Sequence, residues 1–178
     1  MLTEQEKILA NSIKEREKQI IEDCRSIVKP NPTTINKPIL NALIVGWGLV
    51  KPTLNDEIYY IDNWDRIQKA IEIDWLDEIP YQSDWNDCDN FADNFRSNMN
   101  QKYGWNTIGR LSVALYKPDT DKIIGYHRAV LIVAKEGRNW VLYAYDPMAG
   151  MNDGTDKIDG SLIRIKDWIY EPTFIEFN

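Results

Sequence analysis

From Thr3 to Val28, apolar residues recur at helical spacing. Ile8, Leu9, Ile13, Ile20, Ile21, Cys24, Ile27 and Val28 fall mainly on one face. Thr3 and Glu6 have the spacing of a capping box, which predicts the helix start. Lys29-Pro30 ends it. Pro30, Pro32 and Pro38 then mark an extended linker. The run from Ile39 to Val50 is apolar on both faces, which predicts a buried strand or a short buried helix. Another helix is predicted after Asp62, with Trp64, Ile67, Ala70 and Ile71 facing inward. A further one begins near Cys88, where Phe91, Ala92, Phe95 and Met99 make the apolar stripe.

After Gly104 the period changes from that of a helix to two. Leu111, Val113 and Leu115 alternate with more polar neighbours, and Lys117 to Lys122 reads as a turn. Ile123 to Ala134 is a second strand, Lys135 to Asn139 a turn, and Trp140 to Tyr145 a third strand. Asp146 to Gly160 reads as a long polar loop. The segments Leu162–Ile165 and Phe174–Phe177 are strand-like. Helices first and an antiparallel meander second predict an α+β fold. Residues 1–36 read as an N-terminal helix with its linker, and residues 37–178 as one domain.

Charge narrows the partners. The 178 residues carry a net charge of −7, and no basic face is evident to receive phosphates, so nucleic acid is not expected as a partner. No apolar run is long enough to cross a bilayer. The charged N-terminus lacks the apolar core of a secretory signal, which points to the cytoplasm. The one-sided N-terminal helix must bury its stripe, on the domain or on a second copy in a homo-oligomer. Two cysteines, Cys24 and Cys88, make neither a disulfide framework nor a Cys-rich zinc site. Cys24 lies on an apolar stripe and reads as a small core hydrophobe.

Cys88 is different. It stands at a helix start among Asp84, Asp87, Asp89 and Asp93. The single histidine, His127, follows Gly125 on the second strand, on the face of Ala129, Leu131 and Val133. That face is expected to receive the Cys88 helix, which would bring thiol and imidazole together. Imidazole can take a thiol proton, and a helix N-terminus favours the resulting anion. Asp146 closes the third strand. The turn at Lys135–Asn139 returns it beside His127, where its carboxylate could orient the ring. Gln82, six residues before Cys88, is a candidate side-chain donor to an oxyanion.

These residues resemble the papain-like cysteine peptidases: a helix-borne cysteine, a strand-borne histidine after glycine, a carboxylate ending the next strand, and an upstream glutamine. In finer detail they resemble the branch seen in the C-terminal domain of the Marasmius agglutinin and in similar phage and bacterial proteins. That branch has an Asp-Cys-Asp run followed by Phe-Ala, matched by Asp87, Cys88, Asp89, Phe91 and Ala92. It also has an acidic residue before proline, matched by Asp146-Pro147. The likeness covers Ile58 to Pro147. Two departures stand out: Arg128 follows His127 where the pattern has a small residue, and Met148 stands where the branch has glutamine.

The resemblance implies a papain-like domain with the cysteine helix packed on an antiparallel sheet. It implies a cysteine protease, a hydrolase of amide bonds in a protein or peptide substrate. Cys88 would be nucleophile, His127 base and acid, Asp146 orienter and Gln82 oxyanion donor. The alternative is an inert binding or structural module on the same scaffold, virion-associated if phage-encoded. A cell-wall amidase of the NlpC type is a third reading, set back by the lack of a wall-binding segment or export signal. No cofactor is required. Asp84, Asp87 and Asp89 could hold calcium, an ion on which the agglutinin branch depends, although the spacing is not an EF-hand.

Overall fold

A computed structural model describes residues 15, 33–74, 87–117, 122–149, 154–160 and 162–177. The predicted N-terminal helix apart from Glu15, together with Cys24, Gln82 and Asp84, lies outside these residues. The chain is α+β. A small antiparallel pair, β1 (Thr33–Asn36) and β3 (Ile58–Ile61), stands apart from the main sheet. Helix α1 (Lys37–Gly46) follows β1, and β2 (Thr53–Leu54) precedes β3.

The run from Ile39 opens as α1, and only one face of it is covered. Asn36 caps it, its Oδ1 accepting the Ile39 amide at 3.1 Å. Leu40 and Ile44 are buried, whereas Ile39 and Val45 are about half exposed. The apolar run therefore overstates burial. Helix α2 (Trp64–Glu72) is capped by Asn63 and buries Trp64, Ile67, Ala70 and Ile71, the four residues its periodicity selects. Helix α3 (Cys88–Tyr103) buries Phe91, Ala92, Phe95 and Met99. It ends at Gly104, whose φ of 71° supplies the left-handed cap that side chains resist.

The main sheet contains β4 (Ile108–Tyr116), β5 (Ile123–Glu136), β6 (Asn139–Tyr145), β7 (Thr155–Lys157), β8 (Ile163–Ile165) and β9 (Trp168–Phe177). Its order is β2-β9-β4-β5-β6-β7, with β8 pairing β9. All pairs are antiparallel except β2 with β9. The β5–β6 hairpin closes through Gly137 and Arg138, and Gly137 has the positive φ of 59° that two-residue hairpin loops demand. Strand β7 lies inside the segment expected to be a polar loop. It pairs with β6, and Asp156 accepts the Arg164 amide at 2.7 Å, which ties the segment down.

Apolar cores lie on both faces of this sheet, so Ala129 to Ala134 are all fully buried. One face holds Leu111, Val113, Ala129, Leu131, Val133, Leu142 and Ala144 with residues of α1, β1 and β3. The other holds Val130, Ile132, Ala134, Val141 and Tyr143 with α2 and α3. There Trp64 stacks on Tyr143, ring centroids 3.6 Å apart. Helix α3 thus packs on the Val130 face and not, as expected, on the face of Ala129, Leu131 and Val133. Alternation within a strand separates the two faces, and only long-range packing decides which face a helix covers.

Candidate functional site

Cys88 opens α3 because Asp87 caps it. Asp87 Oδ1 accepts the amides of Asp89 at 3.1 Å and Asn90 at 3.3 Å, and the Asp87 amide donates to Asn90 Oδ1 in return. The first helical position is thereby fixed. His127 sits on β5 opposite Val113. Strand β6 stops at Tyr145, which pairs with Val130, so β5 runs on past the end of β6 toward His127. Thiol and ring therefore meet beyond the end of β6, although α3 covers the opposite face. Cys88 and His127 line one pocket there.

His127 Nε2 lies 3.0 Å from Asp146 Oδ2. Asp146 is buried, and its carboxylate has further donors. Tyr170 Oη reaches Oδ2 at 3.2 Å and the Met148 amide reaches Oδ1 at 3.0 Å. The backbone is also pinned, with the Asp146 amide donating to Gly154 O at 2.8 Å. Tyr170 also packs edge-on against the His127 ring, centroids 5.7 Å apart. Burial would lower the pKa of His127. Hydrogen bonds to Asp146 and Cys88 outweigh it, and the ring is pushed up to about 9. Burial, and then the Asp146 charge, push the Tyr170 phenol far above its usual range, so it remains a donor.

The described members of the acidic cluster, Asp87, Asp89 and Asp93, have protein partners. Asp87 caps the helix. Asp89 Oδ2 pairs with Arg128 Nη1 at 2.6 Å, and its Oδ1 accepts the Cys88 thiol at 3.6 Å. Asp93 takes two bonds from Arg110, at 3.0 and 2.7 Å. Among the described residues no group of three acidic, histidine or cysteine side chains is placed to hold a metal ion.

Cys88 and His127 line an open pocket of about 220 Å³, together with Asp89, Ser112, Val113, Tyr126, Arg128 and Thr173. Of the predicted site residues, Cys88, His127 and Asp146 come together. Gln82 and Asp84 lie outside the described residues. Reasoning from sequence missed Tyr170, Tyr126, Ser112 and Thr173. It also missed the use of Arg128, the residue that departs from the family pattern and forms the ion pair with Asp89. The available signal for that pair was that Asp89 and Arg128 each adjoin a member of the expected Cys88–His127 pair, while Tyr170 needed the unpredictable pairing of β9 with β4.

No protein-family model matches the chain, and no curated protein sequence does. Solved structures do. A chain titled as the PSL1a-E64 complex matches with a TM-score of 0.58 and 20% identity, over 81% of this chain and 51% of that one. Polyporus squamosus lectin, titled as bound to the epitope Neu5Acα2-6Galβ1-4GlcNAc, matches with a TM-score of 0.60 and 17% identity, over 81% and 49%. The chain thus spans about half the length of each. At such identities the likeness is one of fold. It corrects the expectation of a hydrolase and cysteine protease: the similar structures include a lectin, and the binding-module alternative fits them better. In the described residues no helix is long and apolar enough to cross a membrane.

Proposed function

We propose that this chain is a binding module on a papain-like scaffold, with the Cys88–His127 pocket as its ligand site and a carbohydrate as the ligand class. The observation that carries the reading is the lining of that pocket. Its polar groups are preorganised by their neighbours: His127 by Asp146, Arg128 by Asp89, and Thr173 by its bond to Ser112 O at 3.0 Å. Fixed donors and acceptors beside an exposed aromatic ring suit a polyhydroxylated ligand, which offers hydroxyls on its rim and C–H groups on its faces. Tyr126, 74% exposed, supplies that ring.

In this reading Asp89 and Arg128 present a carboxylate and a guanidinium side by side to neighbouring hydroxyls. His127, held by Asp146, forms part of the pocket wall, and Cys88 packs against the ligand. Asp146 touches no ligand and positions the imidazole. The lectin bound to Neu5Acα2-6Galβ1-4GlcNAc makes that trisaccharide the first probe. Calorimetric titration should give saturable binding that Arg128→Ala and Tyr126→Ala each weaken at least about tenfold, a loss of roughly 1.4 kcal/mol. Lack of binding to a panel of neutral and acidic glycans, or binding that both substitutions leave intact, would overturn the reading.

A further inference from the structure

Strand β9 carries a bulge that the pocket uses. Its register on β4 passes from Ser112 opposite Phe174 to Val113 opposite Pro172, so Thr173 is the extra residue. The effect on the side chains is visible in their burial. Tyr170 and Pro172 are buried on one side of the bulge and Ile175 and Phe177 on the other, while Thr173 and Phe174 are both exposed in succession. Without the bulge, strict alternation would turn one of these two neighbours inward.

Phe174 shares a face with the pocket. Ser112 is the cross-strand neighbour of both Phe174 on β9 and Arg128 on β5, and Ala114 is the neighbour of Tyr126. Phe174 is 43% exposed and Ile124, two residues before Tyr126, 44%. The rings of Tyr126 and Phe174 therefore stand on strands flanking β4, two strand spacings apart and offset by two residues. That separation is about 12 Å between their Cα atoms. The line between them crosses β4 at Ser112 and Ala114; Ala114 is buried, and half-buried Ser112 lines the pocket together with Thr173.

We infer that Phe174 and Tyr126, with Thr173 and Ser112 between them, form a second subsite continuous with the pocket, which takes further rings of an oligosaccharide. The inference rests on the reading of the pocket as a carbohydrate site. The pocket holds one end of the ligand, and Phe174 stacks on a ring further along. The bulge leaves Thr173 and Phe174 both exposed, where strict alternation would bury one of them.

The test compares the trisaccharide probe with its terminal monosaccharide, by calorimetry and saturation-transfer NMR, on wild type, Phe174→Ala, Phe174→Tyr and Arg128→Ala. Wild type should bind the trisaccharide several-fold more tightly than the monosaccharide. Phe174→Ala should abolish that advantage and leave the monosaccharide affinity unchanged, and Phe174→Tyr should restore it. Arg128→Ala should weaken both ligands. If Phe174→Ala leaves the trisaccharide affinity intact while Arg128→Ala lowers it, the second subsite is wrong and the pocket stands. If wild type binds neither ligand, the pocket reading fails and takes the subsite with it.

Discussion

Tyr170 and His127 converge on the same carboxylate oxygen, Asp146 Oδ2, at 3.2 and 3.0 Å. A strand added after the sheet's meander thus completes a group that the β5–β6 hairpin had only begun. The shared acceptor explains why the imidazole holds its proton: the anion it faces is buried and fixed, and cannot turn away.

The first prediction concerns pH. Burial opposes the charged ring, but Asp146 and Cys88 prevail, and its folded pKa is about 9 against 6.5 for the free side chain. A raised pKa means stabilisation that is fully present below about pH 6.5 and lost as pH rises through about 9. The full contribution is on the order of 3 kcal/mol. Urea denaturation of wild type should show stability falling between pH 6.5 and 9.5, and His127→Gln should flatten that segment. A wild-type curve that is level across it would contradict the assigned charge.

A second prediction follows from the satisfaction of Asp146. Asp146→Ala strands the ring of His127, the Tyr170 hydroxyl and the Met148 amide in a buried place. A loss of about 2–4 kcal/mol is expected, since each orphaned group costs its desolvation. Tyr170→Phe removes one donor and leaves the carboxylate two, so about 1 kcal/mol is expected. A double-mutant cycle should give a non-zero coupling between the two positions. Additive losses would mean that the 3.2 Å bond contributes nothing.

Close packing gives a third. A Cβ on Gly109 would lie 2.8 Å from the Glu176 carbonyl oxygen and 2.9 Å from the Phe177 ring. The carbonyl belongs to the backbone of β9 and cannot yield cheaply. Gly109→Ala should cost about 1–3 kcal/mol and lower the thermal midpoint by several degrees. A midpoint within a degree of wild type would show that β9 shifts freely.

Local pattern revealed some of this molecule and could not reveal the rest. Trp64, Ile67, Ala70 and Ile71 repeat at helical spacing, and Phe91, Ala92, Phe95 and Met99 do the same, so α2 and α3 were legible from neighbours alone. The β5–β6 hairpin was legible too, because its turn residues are adjacent in sequence, and with it the meeting of His127 and Asp146. The place of β9 beside β4 was not: nothing near Tyr170 or Phe174 encodes a partner some sixty residues earlier. The same holds for the face that α3 covers. The pattern also misread α1, where Ile39 and Val45 are apolar yet exposed. The triad-like grouping was therefore readable, while the chemistry assigned to it was not, since a scaffold can carry a thiol, a ring and a carboxylate without hydrolysing a substrate.

The last prediction separates binding from stability at Asp89 and Arg128. Their side chains are 43% and 35% exposed, and their 2.6 Å contact lies at the pocket. Solvent screens a pair so placed, and exposed ion pairs contribute about 0–1 kcal/mol. Arg128→Ala and Asp89→Asn should therefore move the urea midpoint little. Asp89 also accepts the Cys88 thiol, so Asp89→Asn should leave that acceptor largely in place. The ligand would need both charges in register, however, and either substitution removes half of the hydrogen-bonding fork. Both variants should keep wild-type stability within about 1 kcal/mol and lose glycan affinity about tenfold or more. Reversing the pair, with Asp89→Arg and Arg128→Asp together, should likewise leave stability near wild type and should not restore affinity, because the fork then faces the ligand the wrong way. Affinity that survives all three would place the ligand elsewhere on the chain. A stability loss above about 2 kcal/mol in the single variants would mean that the pair is a structural tie and that the pocket depends on it only indirectly.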